Sequence, residues 1–237
     1  MYYYLLGSAS YYNRVDSPCS IVDYEPLILP NGSIRAVMLC SNSIGFITFY
    51  SSFNLNSNTS IHLNYLGASL KCIPSSLQCL IGTNSGKLLL FNIISNSLAN
   101  IYPTNVNSPV SLIKTFTISS NQHKIYVVFS DGVLNEYLLK VNYIQLDRSS
   151  EFFKGESIHD VGTYSGSSYL IVTDKRGNVT QIDLDNGTLV DSVNVNPYLA
   201  NKTNPAMSLL FNNASSFYIF NTLNSAIFFI STTSPTS

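Results

Sequence analysis

A pattern of apolar run, turn and second apolar run recurs five times along this chain of 237 residues. The copies read AVMLCSNSIGFITFY (36–50), LQCLIGTNSGKLLLF (77–91), IYVVFSDGVLNEYLL (125–139), YLIVTDKRGNVTQID (169–183) and FYIFNTLNSAIFFIS (217–231). The turns carry Gly45, Gly86, Gly132, Gly177 and Ser225, which lie 41, 46, 45 and 48 residues apart. A regular spacing of this length restricts the chain to architectures that use one supersecondary unit per repeat.

Each repeat extends on both sides into further strand-like segments. The preceding segments are SIVDYEPLIL, SLKCI, VSLIKTFTI, SIHDVGTY and AMSLLF. The following segments are SIHLNYL (60–66), SLANIY (97–102), VNYIQLD (141–147) and TLVDSVNV (188–195). Four short antiparallel strands joined by Asn, Ser, Gly and Asp turns make one propeller blade. We therefore predict an all-β chain that forms a β-propeller of about five four-stranded blades.

The repeats set the predicted domain organisation. Residues 1–237 form a single propeller domain, with blades at about 20–66, 70–102, 110–147, 158–195 and 206–231. The fifth blade lacks a fourth strand, because only TTSPTS follows Ser231. We expect Tyr2 to Leu6 to complete it by pairing with Ala226 to Ser231, since ring closure removes an exposed sheet edge. The alternative is a fragment of a larger ring, whose missing blades come from further sequence or from a partner.

Composition excludes several classes of protein. Hydrophobic residues make up 45% of the chain and charged residues 11%, which is unlike a disordered segment. The twelve basic and thirteen acidic residues are scattered, so there is no basic stripe for nucleic acid. No apolar stretch approaches the ~18 residues that indicate a membrane span. The start MYYYLLGSAS does not resemble a secretory signal. We expect an intracellular protein, either cytoplasmic or nuclear.

Two segments resemble the blade pattern of WD-repeat propellers, V-x-x-L-x-F, a strand, and then D-G-x-I-x-I-W-D. They are Ala206 to Phe211 followed by Phe217 to Phe220, and Ser130 to Tyr137. The positions of the motif tryptophan hold Tyr50, Phe91, Tyr137, Ile182 and Ile230, and an aspartate follows only at Asp183. The chain has no tryptophan and no Gly-His pair, so the His–Asp–Trp network of that family is missing. The resemblance implies a WD-like propeller, a fold that serves many functions.

Motifs that carry catalysis or bind cofactors are missing from the sequence. His62, His123 and His159 have no second ligand at a metal spacing, and no nucleophile elbow or phosphate-binding glycine loop occurs. We predict that the chain is not an enzyme and has no catalytic residues, cofactor, metal or small-molecule ligand. The alternative is a small-molecule or glycan-processing propeller with its site in the central channel, where Asp23 and Asp160 lie in predicted innermost strands.

The four cysteines form no C-x-x-C pair, which argues against a zinc ribbon or a redox motif. Cys72 and Cys79 flank the turn IPSSLQ and face each other if a hairpin forms there. The sequence alone leaves open whether these two cysteines form a disulfide. For an intracellular compartment, however, we expect buried free thiols.

Two loops combine aromatic and basic side chains. RSSEFFKGE (148–156) places Phe152 and Phe153 in a link between blades, and TDKRGN (173–178) places Lys175 and Arg176 on an inner hairpin. Both loops open on the same rim of a WD-like disc, and exposed aromatics beside cations are typical of binding hot spots. The alternative is that the two phenylalanines fold onto the blade edges. We predict a non-catalytic scaffold that binds the proteins of an intracellular multi-subunit complex through these four residues.

Overall fold

The described residues of the computed structural model fold into strands joined by turns and short links. They are residues 2–4, 11–14, 19–49, 55–73, 75–119, 121–140, 143–164, 169–195, 207–213, 216–221 and 226–231. Within these ranges there is no helix that is long and apolar enough to cross a membrane. The described segments form antiparallel sheets, as the short runs of Tyr, Phe, Ile and Val indicate.

The strands group into a short hairpin and five successive antiparallel sheets. The hairpin consists of β1 (Tyr2–Tyr4) and β2 (Tyr11–Arg14). The first sheet holds β3 (Ile21–Ile28), β4 (Ile34–Cys40), β5 (Ser43–Phe49) and β6 (Leu55–His62). The second holds β7 (Gly67–Ile73), β8 (Gln78–Thr83), β9 (Leu88–Asn92) and β10 (Ser97–Tyr102).

The remaining sheets repeat this arrangement. The third holds β11 (Val110–Ser119), β12 (Gln122–Phe129), β13 (Leu134–Lys140) and β14 (Tyr143–Ser150). The fourth holds β15 (Ile158–Gly162), β16 (Tyr169–Asp174), β17 (Asn178–Asp183) and β18 (Leu189–Asn194). The fifth holds β19 (Met207–Asn213), β20 (Ser216–Asn221) and β21 (Ala226–Ser231).

Each predicted pair of apolar runs corresponds to the second and third strands of one sheet, and the fifth turn, at Ser225, lies outside the described residues. The predicted fourth strand of the first repeat is displaced, since β6 ends at His62 rather than Leu66. The reason lies in the link that follows. The Leu63 N–H bonds to the Asn42 carbonyl and the Gly67 N–H bonds to the Ser41 carbonyl, so these residues turn the chain toward the next sheet.

The core lies between consecutive sheets rather than within one of them. Both faces of a middle strand are buried, so that Cys79, Leu80 and Ile81 are all inaccessible to solvent. Cys79 and Ile81 pack toward the first sheet, while Leu80 packs toward the third. Leu170 and Ile171 divide in the same way between the third and fifth sheets. Contacts of the innermost strands therefore join the sheets in chain order.

One backbone hydrogen bond recurs where a link enters a sheet. A residue in the turn between the second and third strands donates its N–H to the carbonyl of the residue just before the innermost strand of the same sheet. The three examples are Asn84 to Leu66 (2.9 Å), Ser130 to Pro109 (2.8 Å) and Lys175 to Ser157 (2.9 Å). Each link is thus attached to the inner turn of the sheet that it leads into.

The predicted pairing of Tyr2 to Leu6 with Ala226 to Ser231 is corrected by the structure. Tyr2–Tyr4 pairs instead with Tyr11–Arg14, and the fifth sheet contains three strands among the described residues. Leu5 and Leu6 lie outside those residues. A local hairpin closes a loop of a few residues, whereas the predicted pairing spans nearly the whole chain and loses more conformational entropy.

The expectation of free thiols is also corrected. Cys72 and Cys79 are directly opposite in the pairing of β7 with β8, and they form a disulfide with a Cα–Cα distance of 4.0 Å. A second disulfide joins Cys19 to Cys40. The hairpin arrangement of the first pair follows from its sequence spacing, while nothing in the spacing of the second pair indicates its partner.

Candidate functional site

The link between the third and fourth sheets is folded tightly against the sheet that precedes it. The Lys154 N–H bonds to the Glu151 carbonyl (3.0 Å) and the Glu156 N–H bonds to the Phe153 carbonyl (2.8 Å), so two turns follow each other. The Gly155 N–H donates to the carbonyl of Asp131 in the β12–β13 turn (2.7 Å). These hydrogen bonds therefore hold the link in one position against the third sheet.

Gly132 permits this close approach. Its φ of +85° lies in the left-handed region, and a Cβ placed there would overlap the carbonyl oxygen of Phe153. Only glycine avoids both the strain and the overlap. The Asp131-Gly132 signal in the sequence thus marks a contact as well as a hairpin turn.

The structure separates the two predicted phenylalanines. Phe152 is 56% exposed, whereas Phe153 is 6% exposed and packs with Tyr126, Leu134 and Ile158 between the third and fourth sheets. The prediction that Phe153 contacts a partner is therefore corrected, because its ring is part of the core. Adjacent residues in a tight turn point in different directions, and the interior admits only one of these rings.

The inner turn of the fourth sheet presents the predicted basic residues. Lys175 and Arg176 are both exposed, and the Asp174 carboxylate accepts the Arg176 N–H at 2.8 Å. A second N–H, from Asn178, reaches the same oxygen at 2.9 Å. This carboxylate fixes the turn as an Asx turn does, so its two cations project from a defined backbone.

Glu156 connects the link to the basic turn. Its Oε1 lies 2.9 Å from Nη2 of Arg176, whose side chain is still 70% exposed. The Lys175 N–H also bonds to the carbonyl of Ser157, at the end of the same link. An exposed ion pair contributes little stability, but it orients the guanidinium. The sequence analysis missed Glu156, whose acidic charge in the link was the available signal.

We use the term rim surface for Phe152, Lys154, Glu156, Lys175 and Arg176. It combines one exposed aromatic ring, three cations and one carboxylate on two segments that are hydrogen-bonded to each other. Lys154 forms an exposed ion pair with Glu151 at 3.0 Å. The arrangement can anchor an apolar group and orient an acidic one.

The innermost strands carry the other candidate groups, Asp23 and Asp160. Oδ2 of Asp23 accepts the N–H of Leu70 in the second sheet at 2.8 Å, and Oδ2 of Asp160 accepts the N–H of Leu209 in the fifth at 2.9 Å. Oδ1 of Asp160 lies 2.8 Å from Nζ of Lys114 in the third sheet. Both carboxylates thus hold one sheet to the next.

A cavity of about 180 Å³ lies beside these groups. It is lined by the innermost strands of the first three sheets, including Asp23, Glu25, Ser69, Lys71 and Lys114. Nζ of Lys71 is 2.7 Å from Oε1 of Glu25, so these two charges are paired across neighbouring sheets. The pairing leaves the cavity with balanced charges and no carboxylate dedicated to a ligand.

His123 and His159 both have a lowered pKa, which disfavours their protonated form. Burial lowers the pKa of His123, which lies between the hydroxyls of Ser75 (3.2 Å) and Thr117 (3.3 Å). Burial, followed by the charge of Lys175, lowers the pKa of His159. In the described ranges, no group of three or more His, Cys, Asp or Glu residues has the arrangement of a metal site.

No protein family and no curated protein matches the chain in sequence. Solved structures do match. The β-propeller domain of Cps50 (Swd1) from Myceliophteria thermophila aligns with 92% of this chain and 73% of its own length, with a TM-score of 0.69 and 11% identity. Raptor from Chaetomium thermophilum aligns with 90% of this chain and 20% of its own, with a TM-score of 0.66 and 12% identity.

The C-terminal WD40 domain of Sif2 aligns with 89% of this chain and 55% of its own, with a TM-score of 0.61 and 12% identity. The chain therefore spans about half of that domain and a fifth of Raptor. Identities this low establish the fold alone. The chain is an all-β propeller. The prediction of WD-like, four-stranded blades is confirmed at the level of the fold.

Proposed function

We propose that this propeller is a non-catalytic scaffold that binds protein partners within an intracellular multi-subunit complex. The observation that carries the proposal is the exposed ring of Phe152, on a link that is hydrogen-bonded to the third and fourth sheets. An aromatic group fixed in advance binds without the entropy loss of ordering a loop. The likeness to propeller and WD40 domains supports a platform role.

The charges around Phe152 suggest the chemistry of its partner. Lys175 and Arg176 project from a turn that the Asp174 carboxylate fixes, and the side chain of Arg176 is 70% exposed although Glu156 lies 2.9 Å from its guanidinium. A partner segment with an apolar residue beside an acidic one would complement this surface. The ring would supply contact energy, while the cations would aid encounter and orientation.

A site in the central channel for glycan processing receives less support. Such a reaction uses two carboxylates that both face the sugar. Here Asp23 and Asp160 accept backbone N–H groups of neighbouring sheets, and Asp160 is paired with Lys114 as well. We therefore favour a structural role for both groups over the channel-centred alternative.

The test begins with affinity purification of the tagged protein from its native cells and identification of what is recovered. The affinity of the purified pair is then measured by calorimetry for wild type and for Phe152→Ala. A hot spot predicts a loss of about 2 kcal/mol or more. Tyr143→Ala is the matched control, since Tyr143 is an exposed aromatic on the outer strand β14.

Two further measurements complete the test. Arg176→Ala should weaken binding and reduce its dependence on salt concentration, because it removes a charge from the encounter surface. Circular dichroism should show that each variant is folded. Unchanged affinity in a folded Phe152→Ala variant would remove the rim surface from the site.

The proposed location, cytoplasm or nucleus, has its own test in the two cysteine pairs. Disulfides form and persist in oxidising compartments and are rare in the cytosol. Denaturation of the cells in acid followed at once by alkylation should label the Cys72 and Cys79 thiols if the compartment is reducing, because unfolding exposes these buried side chains. Protection of all four cysteines in the cell would contradict the proposed location.

A further inference from the structure

Glu156 and Arg176 form an ion pair whose two members differ in exposure. Oε1 of Glu156 lies 2.9 Å from Nη2 of Arg176, and the two side chains are 26% and 70% exposed respectively. The carboxylate is therefore the more covered member, and a partner that approaches from solvent meets the guanidinium first. Both residues belong to the rim surface, so the charge of Glu156 affects whatever binds to Arg176.

The backbone on both sides of this ion pair is fixed. The Glu156 N–H donates to the Phe153 carbonyl at 2.8 Å, and the Glu156 carbonyl packs against Gly132, where a Cβ would lie 2.7 Å from its oxygen. The Asp174 carboxylate accepts the Arg176 N–H at 2.8 Å. Two fixed segments therefore bring the carboxylate and the guanidinium together, and rotations of the side chains are what can separate them.

This arrangement opposes the binding of an acidic group. A partner carboxylate that displaces Glu156 exchanges one ion pair with Arg176 for another, so the exchange gains little. A partner carboxylate that binds beside Glu156 brings two like charges within about 4–6 Å of each other, which is unfavourable. In both arrangements the charge of Glu156 lowers the affinity of the rim surface for acidic groups.

Orientation of the guanidinium acts in the other direction but is the weaker effect. The ion pair positions Arg176 before a partner arrives, which reduces the entropy lost on binding. Ion pairs at exposed positions are weak, however, and the Arg176 side chain is mostly exposed, so this preorganisation is incomplete. The competition between carboxylates acts whenever an acidic group is bound.

We propose that Glu156 is an internal competitor that makes the rim surface selective. It occupies Arg176 in the free protein and disfavours partners that offer an acidic group alone. A partner that also covers the Phe152 ring, which is 56% exposed, gains contact energy that does not depend on Arg176. This inference rests on the proposed scaffold function, because it concerns the partner segment of that same surface.

Glu156→Gln separates the charge of the side chain from its shape. Glutamine has the same length, and its Oε1 can still accept an N–H of Arg176, so the orientation of the guanidinium is retained. Asp185→Asn is the matched control, because it removes the same charge from an exposed residue in the β17–β18 turn. That turn lies at the opposite end of β17 from Arg176.

The probe is a fluorescein-labelled peptide, GDDLDDG, in which one apolar residue is flanked by acidic ones. Its affinity for the purified protein is measured by fluorescence anisotropy at low ionic strength, where exposed charges interact most strongly. Glu156→Gln should bind it about two- to fivefold more tightly than wild type does, since exposed charge pairs have effects of this size. Asp185→Asn should bind it as wild type does. The amide peptide GNNLNNG should not distinguish wild type from Glu156→Gln.

The same titration in the Arg176→Ala background separates competition from a structural role. The gain from Glu156→Gln should be smaller there, because the acidic group is no longer bound close to Glu156. A gain of the same size would show that Glu156 acts through overall charge or through the structure of the link, and would overturn the proposal. So would equal affinities of wild type and Glu156→Gln, or failure of the acidic peptide to bind either form. Circular dichroism checks that each variant is folded.

The two proposals for the rim surface fail separately. Unchanged affinity of the recovered partner for folded Phe152→Ala contradicts the proposed function, whereas the peptide results contradict only the role of Glu156. With the recovered partner, Glu156→Gln should again strengthen binding by about two- to fivefold. Phe152→Ala in the Glu156→Gln background should still weaken it, because the ring supplies its contact energy independently of the charge.

Discussion

Replacement of Gly132 by alanine tests the contact that holds the link between the third and fourth sheets. The new methyl group would occupy a left-handed residue with a φ of +85°. It would overlap the carbonyl oxygen of Phe153 and lie 2.7 Å from that of Glu156. Both of these atoms belong to the backbone, so neither can move aside by a change of rotamer.

The size of the effect follows from two costs and one partial offset. A residue with a Cβ in the left-handed region costs about 1–2 kcal/mol. Displacing packed backbone to admit a methyl group costs typically 1–3 kcal/mol. The lower entropy of the unfolded alanine chain offsets about 0.4–1 kcal/mol. We expect Gly132→Ala to lower the free energy of unfolding by about 1–4.5 kcal/mol.

Gly155→Ala is the matched control. Gly155 has nearly the same φ, +83°, and belongs to the same link, but a Cβ there would meet no atom within 4 Å. It should cost only the backbone strain, so the difference between the variants isolates the overlap at about 1–3 kcal/mol.

The assay is urea unfolding followed by circular dichroism, with the midpoint and the slope determined for each variant. Equal loss of stability in Gly132→Ala and Gly155→Ala would refute the argument from close packing. A slope that changes together with the midpoint would indicate that the unfolding is no longer a single transition.

Three further predictions concern buried groups. Phe153→Ala should destabilise the protein by about 3–5 kcal/mol in thermal unfolding, whereas Phe152→Ala should leave the melting temperature unchanged. Burial lowers the pKa of His123 in the folded state, so protons bind preferentially to the unfolded chain. Stability should therefore fall as the pH decreases below about 6.5, and less so in His123→Gln. Reduction of the Cys72–Cys79 disulfide should cost about 2 kcal/mol, and alkylation of the purified, oxidised protein after denaturation should label neither cysteine.

The repeats made the strands predictable because each blade repeats one local pattern of apolar runs and turns. The turn at Asp131-Gly132 could be predicted in this way, because such a turn needs a positive φ, which glycine adopts easily. The pairing partner of the strand that begins at Tyr2 could not be predicted. Pairing between distant segments depends on the entropy of closing the chain as well as on β propensity.

The candidate site was predictable only in outline. The sequence placed Lys175 and Arg176 on a turn and two phenylalanines in a link, and the structure joins these segments through Glu156. The sequence could not show which of Phe152 and Phe153 is exposed, because the two side chains are chemically identical and differ only in direction. Asp160 was recognised as an inner-strand residue, but its bond to Leu209 depends on a sheet about 50 residues away.

The attachment of sheets in chain order has a consequence for the motions of the molecule. An array in which each unit is stabilised by its neighbours behaves as a one-dimensional cooperative system, and a terminal unit has fewer couplings than a central one. Local opening should therefore begin at the fifth sheet and spread inward. Amide hydrogen exchange would be slowest in β8 and β12, where both faces are buried, and fastest in β21. A partner that binds the fifth sheet would slow amide exchange in the other sheets as well, because each sheet is stabilised by its neighbours.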